Sequence, residues 1–145
     1  MILLPLPGNE PLARDLAAAL GGELGALETR RFPDGETYLR ILSDLGGQEV
    51  VLVCTLAQPD EKALPLIFAA RTARALGARS VTLIAPYLAY MRQDKAFHDG
   101  EAVTSEQFAG LLSGEVDRLL TIGPHLHRHK ALSEIYSIPA TALRA

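Results

Sequence analysis

Three of the four histidines in this chain fall in GPHLHRHK, residues 123 to 130, and a longer polar cluster, PYLAYMRQDKAFHDGEAVTSEQ, fills residues 86 to 107. His125 and His127 stand two residues apart, so in an extended segment both imidazoles face one side, a geometry suited to a metal ion or a phosphate-bound metal. No Cys or close Glu completes a zinc set, so a site with open positions fits better than a closed structural one. In the longer cluster, Arg92 brings a bidentate fork and Lys95 a point charge to any phosphate, alongside Gln93, Asp94, His98, Asp99 and Glu101. The plain alternative for both segments is a solvated charged loop. A third stretch is RRFPDGETYLRI, residues 30 to 41. Pro33 presets one turn dihedral, Gly35 tolerates positive φ and Asp34 can bond to the neighbouring backbone, which makes a tight hairpin turn. Glu36, Tyr38 and Arg40 then alternate with Thr37, Leu39 and Ile41 along the outgoing strand. Phe32 and two carboxylates therefore crowd around one turn.

The elements that must carry these residues are marked by apolar runs. ILLPL (2 to 6), VVLVC (50 to 54), VTLIA (81 to 85) and RLLTI (118 to 122) are too short for helices and do not alternate, as expected of parallel strands buried on both faces. Between them, Asn9 is positioned to cap a helix bearing Leu12, Leu16 and Leu20, stopped by Gly21-Gly22. A second helix runs from about Asp60 to Leu76 and ends at Gly77, its regular part expected to begin near Pro65. Thr104 with Gln107 offers a capping box for a third, with Phe108, Leu111 and Leu112 as its apolar side. The alternation predicts a doubly wound α/β sheet, mostly parallel, with residues 24 to 42 added as an antiparallel hairpin. In such sheets ligands gather outside the carboxyl ends of the strands, where both polar clusters lie. The chain ends in IPATALRA, just after another short strand, where a second domain could begin.

Composition narrows the partners. A formal charge of −3 and 48% hydrophobic residues in 145 describe one ordinary globular domain with no general attraction to nucleic acid or anionic membrane. Met1 leads into ILLPLPG, which has no basic n-region and is far too short to span a bilayer. The single Cys54 cannot form an internal disulfide and sits in an apolar run, which suits a core residue in a cytoplasmic protein. No P-loop, dinucleotide fingerprint or serine-hydrolase elbow is present. Residue chemistry unaided stops at a phosphate-binding α/β domain with a possible metal.

FPDGE (32 to 36), PYLAYMRQDK (86 to 95) and the pair His125 and His127 before SIP (137 to 139), in that order, closely resemble the phosphoribosyl pyrophosphate synthetases, or ribose-phosphate diphosphokinases. The similarity covers essentially the whole chain, which looks like the amino-terminal domain, of phosphoribosyltransferase-like three-layer fold, with the second domain that binds ribose 5-phosphate absent. The resemblance implies transfer of the β,γ-diphosphate of Mg-ATP to the anomeric hydroxyl of ribose 5-phosphate, a step of nucleotide biosynthesis. It implies that Phe32, Asp34 and Glu36 hold adenine in the ATP site of a neighbouring subunit, that Arg92 and Gln93 contact ATP with Lys95 nearby for phosphate, and that His127 ligates the bridging Mg²⁺ as the catalytic residue. A homodimer or higher even-numbered oligomer follows, and the isolated chain should not complete the reaction. Many members have Asp-Leu-His where this chain has His125-Leu126-His127, and their basic run is fuller than Lys95 followed by Ala96 and Phe97. The competing readings are a non-catalytic regulatory or oligomerisation subunit and a nucleotide-binding module without transfer chemistry.

Overall fold

The computed structural model describes all 145 residues. In chain order they form β1 (Ile2–Pro5), α1 (Glu10–Leu20), β2 (Glu23–Leu24), β3 (Leu27–Arg31), β4 (Thr37–Ile41) and β5 (Glu49–Val53). There follow α2 (Asp60–Ala75), β6 (Ser80–Ala85), α3 (Thr104–Ser113), β7 (Arg118–Ile122), a 3₁₀ turn (Leu132–Glu134) and β8 (Ala140–Leu143). Six strands make one parallel sheet in the order β2-β1-β5-β6-β7-β8, and β3 with β4 forms a separate antiparallel pair. The four apolar runs are the strands expected of them. The hairpin is shorter than 24 to 42, because Glu23 and Leu24 pair with Ile2 and Leu3 as the edge of the main sheet.

Two-sided burial explains the unalternated runs. Ile2, Leu4, Val50 and Leu52 face the larger core beneath α2 and α3, while Leu3, Val51 and Val53 face a smaller one beneath α1. The residues of α1 that are buried are Ala13 and Ala17, with Leu12 and Leu16 half-buried and Leu20 exposed, so small side chains bring α1 close to the sheet. The helix ends as expected at Gly21, whose φ of +66° is left-handed. Beyond β6 no helix covers that second face. Ile122 and its β8 partner Leu143 are 44% and 49% exposed there.

Two local expectations fail for instructive reasons. Asn9 precedes α1 but its side chain caps nothing. Its Nδ2 instead donates to the carbonyls of Leu6 at 3.1 Å and Pro7 at 3.3 Å, and its Oδ1 accepts the Thr55 N–H at 2.9 Å. A buried amide thus ties the loop after β1 to the loop after β5. Asn9→Ala should lower stability by about 1–3 kcal/mol, read from the denaturant midpoint, because the Thr55 N–H loses its acceptor in a part-buried place. The helix α2 begins at Asp60, so Pro65 lies inside it. Proline has no N–H for the carbonyl four residues back, that of Glu61. Arg31 of β3 fills the gap, its Nη2 donating to Glu61 O at 3.3 Å, and so anchors the hairpin to the helix. Leu27, Leu39 and Ile41 seat the hairpin on the main core.

At the far end of α2, Arg71 grips both carboxylate oxygens of Glu115 at 2.9 and 2.7 Å, fixing the turn that launches β7. Cys54 is fully buried and unpaired, as expected. No helix is long and apolar enough to cross a membrane.

Candidate functional site

The loops that follow β6 and β7 leave adjacent parallel strands from their carboxyl ends. Between them opens a cavity of about 240 Å³ lined by Tyr87, Tyr90, Met91, Arg92, Gln93, Thr104 and His125. Two of the residues singled out in RQDK therefore meet one of the paired histidines. His127 stacks on His125, ring centroids 5.8 Å apart and planes within 7°, so the imidazoles do face one side. Lys95 does not line the cavity; its ammonium lies 5.0 Å from the centroid of the exposed Phe97 ring.

Gln93 is held by the start of α3. The Ser105 N–H donates to its main-chain carbonyl at 3.2 Å, and the Thr104 hydroxyl donates to its Oε1 at 3.2 Å. Thr104 is therefore not a helix cap: α3 starts at Thr104, Val103 occupies the cap position, and no side chain caps it. With the Thr104 hydroxyl on its Oε1, the Gln93 NH₂ has no partner within the chain and can donate to a ligand in the cavity. Tyr90, in the left-handed region at φ +59°, donates its hydroxyl to the Asp60 carboxylate and packs on Phe108. A non-glycine residue there stores strain that its neighbours must hold in place.

Asp94 and Arg128 join the two loops. Arg128 Nη1 lies 2.6 Å from Asp94 Oδ1, and the Asp94 side chain is only 1% exposed. Burial works against the charge on this carboxyl, but the guanidinium of Arg128 overrides it and holds Asp94 below the ordinary carboxylate range. Its other oxygen, Oδ2, is buried with no hydrogen-bond partner. Arg128 also lies over the Phe97 ring at 5.0 Å, which places Arg128 and Lys95 on the same aromatic. Sequence reasoning gave this pair no role. The two residues lie 34 apart, and no spacing rule connects them.

At the hairpin the expected turn forms. The Gly35 N–H reaches Phe32 O at 2.9 Å, the Glu36 N–H reaches Asp34 Oδ1 at 3.0 Å, and Gly35 has φ +92°. Phe32 is 39% exposed and meets Tyr38 edge-on at 6.0 Å. Arg30 lies over both rings, 5.2 Å from Phe32 and 4.3 Å from Tyr38. Phe32, Asp34 and Glu36 do not line the cavity at Arg92, so a single chain does not bring the two groups together there. Nor are three His, Cys, Asp or Glu side chains gathered into a metal-binding group. Mg²⁺ prefers oxygen ligands and keeps several waters, so this chain does not build a self-standing magnesium site; an ion here would be held chiefly by phosphate.

Comparison with known proteins gives the family and the fold. The family described as the N-terminal domain of ribose phosphate pyrophosphokinase matches residues 1–114. A ribose-phosphate pyrophosphokinase of Methanobrevibacter smithii is 36% identical over 94% of this chain and 45% of its own length. One from Saccharolobus solfataricus is 39% identical over 86% of this chain and 44% of its own. The chain spans about half the length of the curated relatives it matches. The crystal structure of phosphoribosylpyrophosphate synthetase from Mycobacterium smegmatis superposes with a TM-score of 0.87 at 22% identity, covering 99% of this chain and 48% of that one, which shows a shared fold. On the strength of the match to residues 1–114, the chain belongs to the ribose phosphate pyrophosphokinase family, in its N-terminal domain.

Proposed function

We propose that this chain serves ribose-phosphate diphosphokinase chemistry, binding Mg-ATP while ribose 5-phosphate is held by residues outside these 145. The observation that carries the proposal is the meeting of Arg92, Gln93 and His125 on one cavity, with His127 stacked beside it. In the reaction the anomeric oxygen of ribose 5-phosphate attacks the β-phosphorus of ATP, the bond to the α-phosphate oxygen breaks, and AMP leaves. The protein's work in such a transfer is positioning and charge neutralisation. Arg92 supplies a fork for phosphate oxygens, Gln93 donates through its free NH₂, and Lys95, outside the cavity lining, adds positive charge to the same loop. Mg²⁺ accompanying the nucleotide would be held by its phosphates and by His127, and would supply charge neutralisation there.

Phe32, Asp34 and Glu36 are assigned to adenine, the ring by stacking and the carboxylates by accepting from the exocyclic amine. Asp34 has one oxygen engaged in its own turn and the other left for the base. Because these residues lie outside the cavity at Arg92, the proposal requires the turn of one chain to complete the nucleotide site of another, in a dimer or higher even-numbered oligomer.

With ATP, Mg²⁺ and ribose 5-phosphate, the purified chain is expected to bind nucleotide and to form no phosphoribosyl pyrophosphate; measurable product would overturn the division of labour. Nucleotide binding that is indifferent to Phe32→Ala and Arg92→Ala would instead favour a module that carries no transfer chemistry.

A further inference from the structure

The strand order reverses between β1 and β5. From β1 the chain passes through α1 on one face to β2, and from β5 through α2 on the other face to β6. Open α/β sheets bind ligands in the crevice at such a switch point. The cavity at Arg92 lies elsewhere, two strands along. At the switch point itself is a second cavity of about 220 Å³, floored by Leu6 and Cys54 and walled by the hairpin and the first turns of α2.

Its chemistry is distinctive. Arg31 and Lys62 both line it, and neither takes part in any ion pair of the chain. Both are fixed by neutral carbonyls: Arg31 donates to Gly35 O at 3.2 Å and Glu61 O at 3.3 Å, and Lys62 Nζ donates to Thr55 O at 3.0 Å. With Arg30 also in the lining, three cations and one carboxylate, Glu61, leave the cavity with a net positive charge. Burial pushes the Cys54 thiol up to about 11, against the pull of Lys62, so the floor is neutral at pH 7 and does not consume that charge. Thr29 and Thr37 from the hairpin and Glu61 from α2 add hydroxyl and carboxylate groups to the wall. The Asn9 hydrogen bonds join the two loops of the switch point without any ligand.

We propose that this cavity is a binding site for a small phosphorylated polyol, with phosphate held between Arg31 and Lys62 and hydroxyls met by Thr29, Thr37 and Glu61. A short phosphate ester fits within the roughly 220 Å³ that the cavity encloses. The site is independent of the nucleotide site proposed at Arg92 and stands if that proposal fails.

The test is a titration of the chain with glycerol 3-phosphate and, separately, inorganic phosphate, followed by amide NMR and calorimetry. Glycerol 3-phosphate should shift the amides of Thr37, Thr55 and Lys62 and leave those of Arg92 and Gln93 in place. Lys62→Met should weaken it about tenfold or more, the effect of losing a charged donor. Thr37→Val, which keeps the branched shape, should weaken glycerol 3-phosphate and leave inorganic phosphate unchanged. Absence of shifts at millimolar ligand, shifts centred on Arg92 and Gln93, or wild-type affinity in Lys62→Met would overturn the site. Equal affinity for the two ligands would overturn the polyol part.

Discussion

Phe32→Ala is expected to weaken Mg-ATP binding by roughly 5- to 150-fold, the range that loss of a single aromatic–base stack produces. Arg92→Ala should weaken it by about thirtyfold or more, since a desolvated phosphate oxygen is left without its charged donor. Calorimetric titration of each variant measures both effects. Arg92→Lys separates charge from geometry: the point charge survives, the fork does not, and only part of the affinity should return. The two losses have different physical origins, one apolar and one ionic. Raised salt should therefore erode the wild-type advantage over Arg92→Ala while leaving that over Phe32→Ala nearly intact.

Arg128→Ala is expected to produce the largest fall in stability of any substitution near the cavity at Arg92, although Arg128 is itself exposed. It leaves the Asp94 carboxylate buried at 1% side-chain exposure with neither oxygen paired. The thermal midpoint at pH 7 should drop by about 5 °C or more. The sign of its pH dependence follows from the direction of the shift. Asp94 is held below its unfolded value of about 3.9, so the pair contributes stability above that pH and loses it as pH falls through the lower folded value. Without the Arg128 side chain, burial still works against the charge and only backbone hydrogen bonds favour it, so the downward shift of Asp94 shrinks and the variant loses less on acidification. The gap between the two melts should therefore narrow from about pH 5 downward. Asp94→Asn removes the charge and keeps the shape, and should cost less than Arg128→Ala. Both variants should also weaken nucleotide binding, because the pair joins the loop of Arg92 and Gln93 to the loop of His125 and His127.

Much of this architecture was legible in the chain because it rests on local rules. Each apolar run became a parallel strand, since burial on both faces suppresses alternation at Leu3-Leu4 and Val50 to Val53 alike. The turn at Pro33-Asp34-Gly35 followed from backbone preferences that need no tertiary partner. What escaped was decided by tertiary partners. Asn9 and Thr104 are good caps in isolation, yet each found a better use for its side chain across the fold, Asn9 on the Thr55 N–H and Thr104 on Gln93. Pro65 was expected near the start of α2 and lies inside it, because Arg31 from the hairpin satisfies the carbonyl that proline leaves bare. The histidine pair and Arg92 could be singled out by type and spacing, but their sharing of one cavity depends on adjacent strands β6 and β7. The Asp94–Arg128 contact carried no local signal of any kind.

The measurement that bears most directly on the central claim is the Mg-ATP titration of an equimolar mixture of Phe32→Ala and Arg92→Ala chains. If the turn of one chain completes the site of its neighbour, a mixed dimer contains one intact site and one doubly broken site. Random pairing then restores tight binding to about a quarter of the sites. A tight-binding fraction near that value, absent from either variant alone, is the predicted result. A mixture that binds no more tightly than its two components would contradict a site shared between chains.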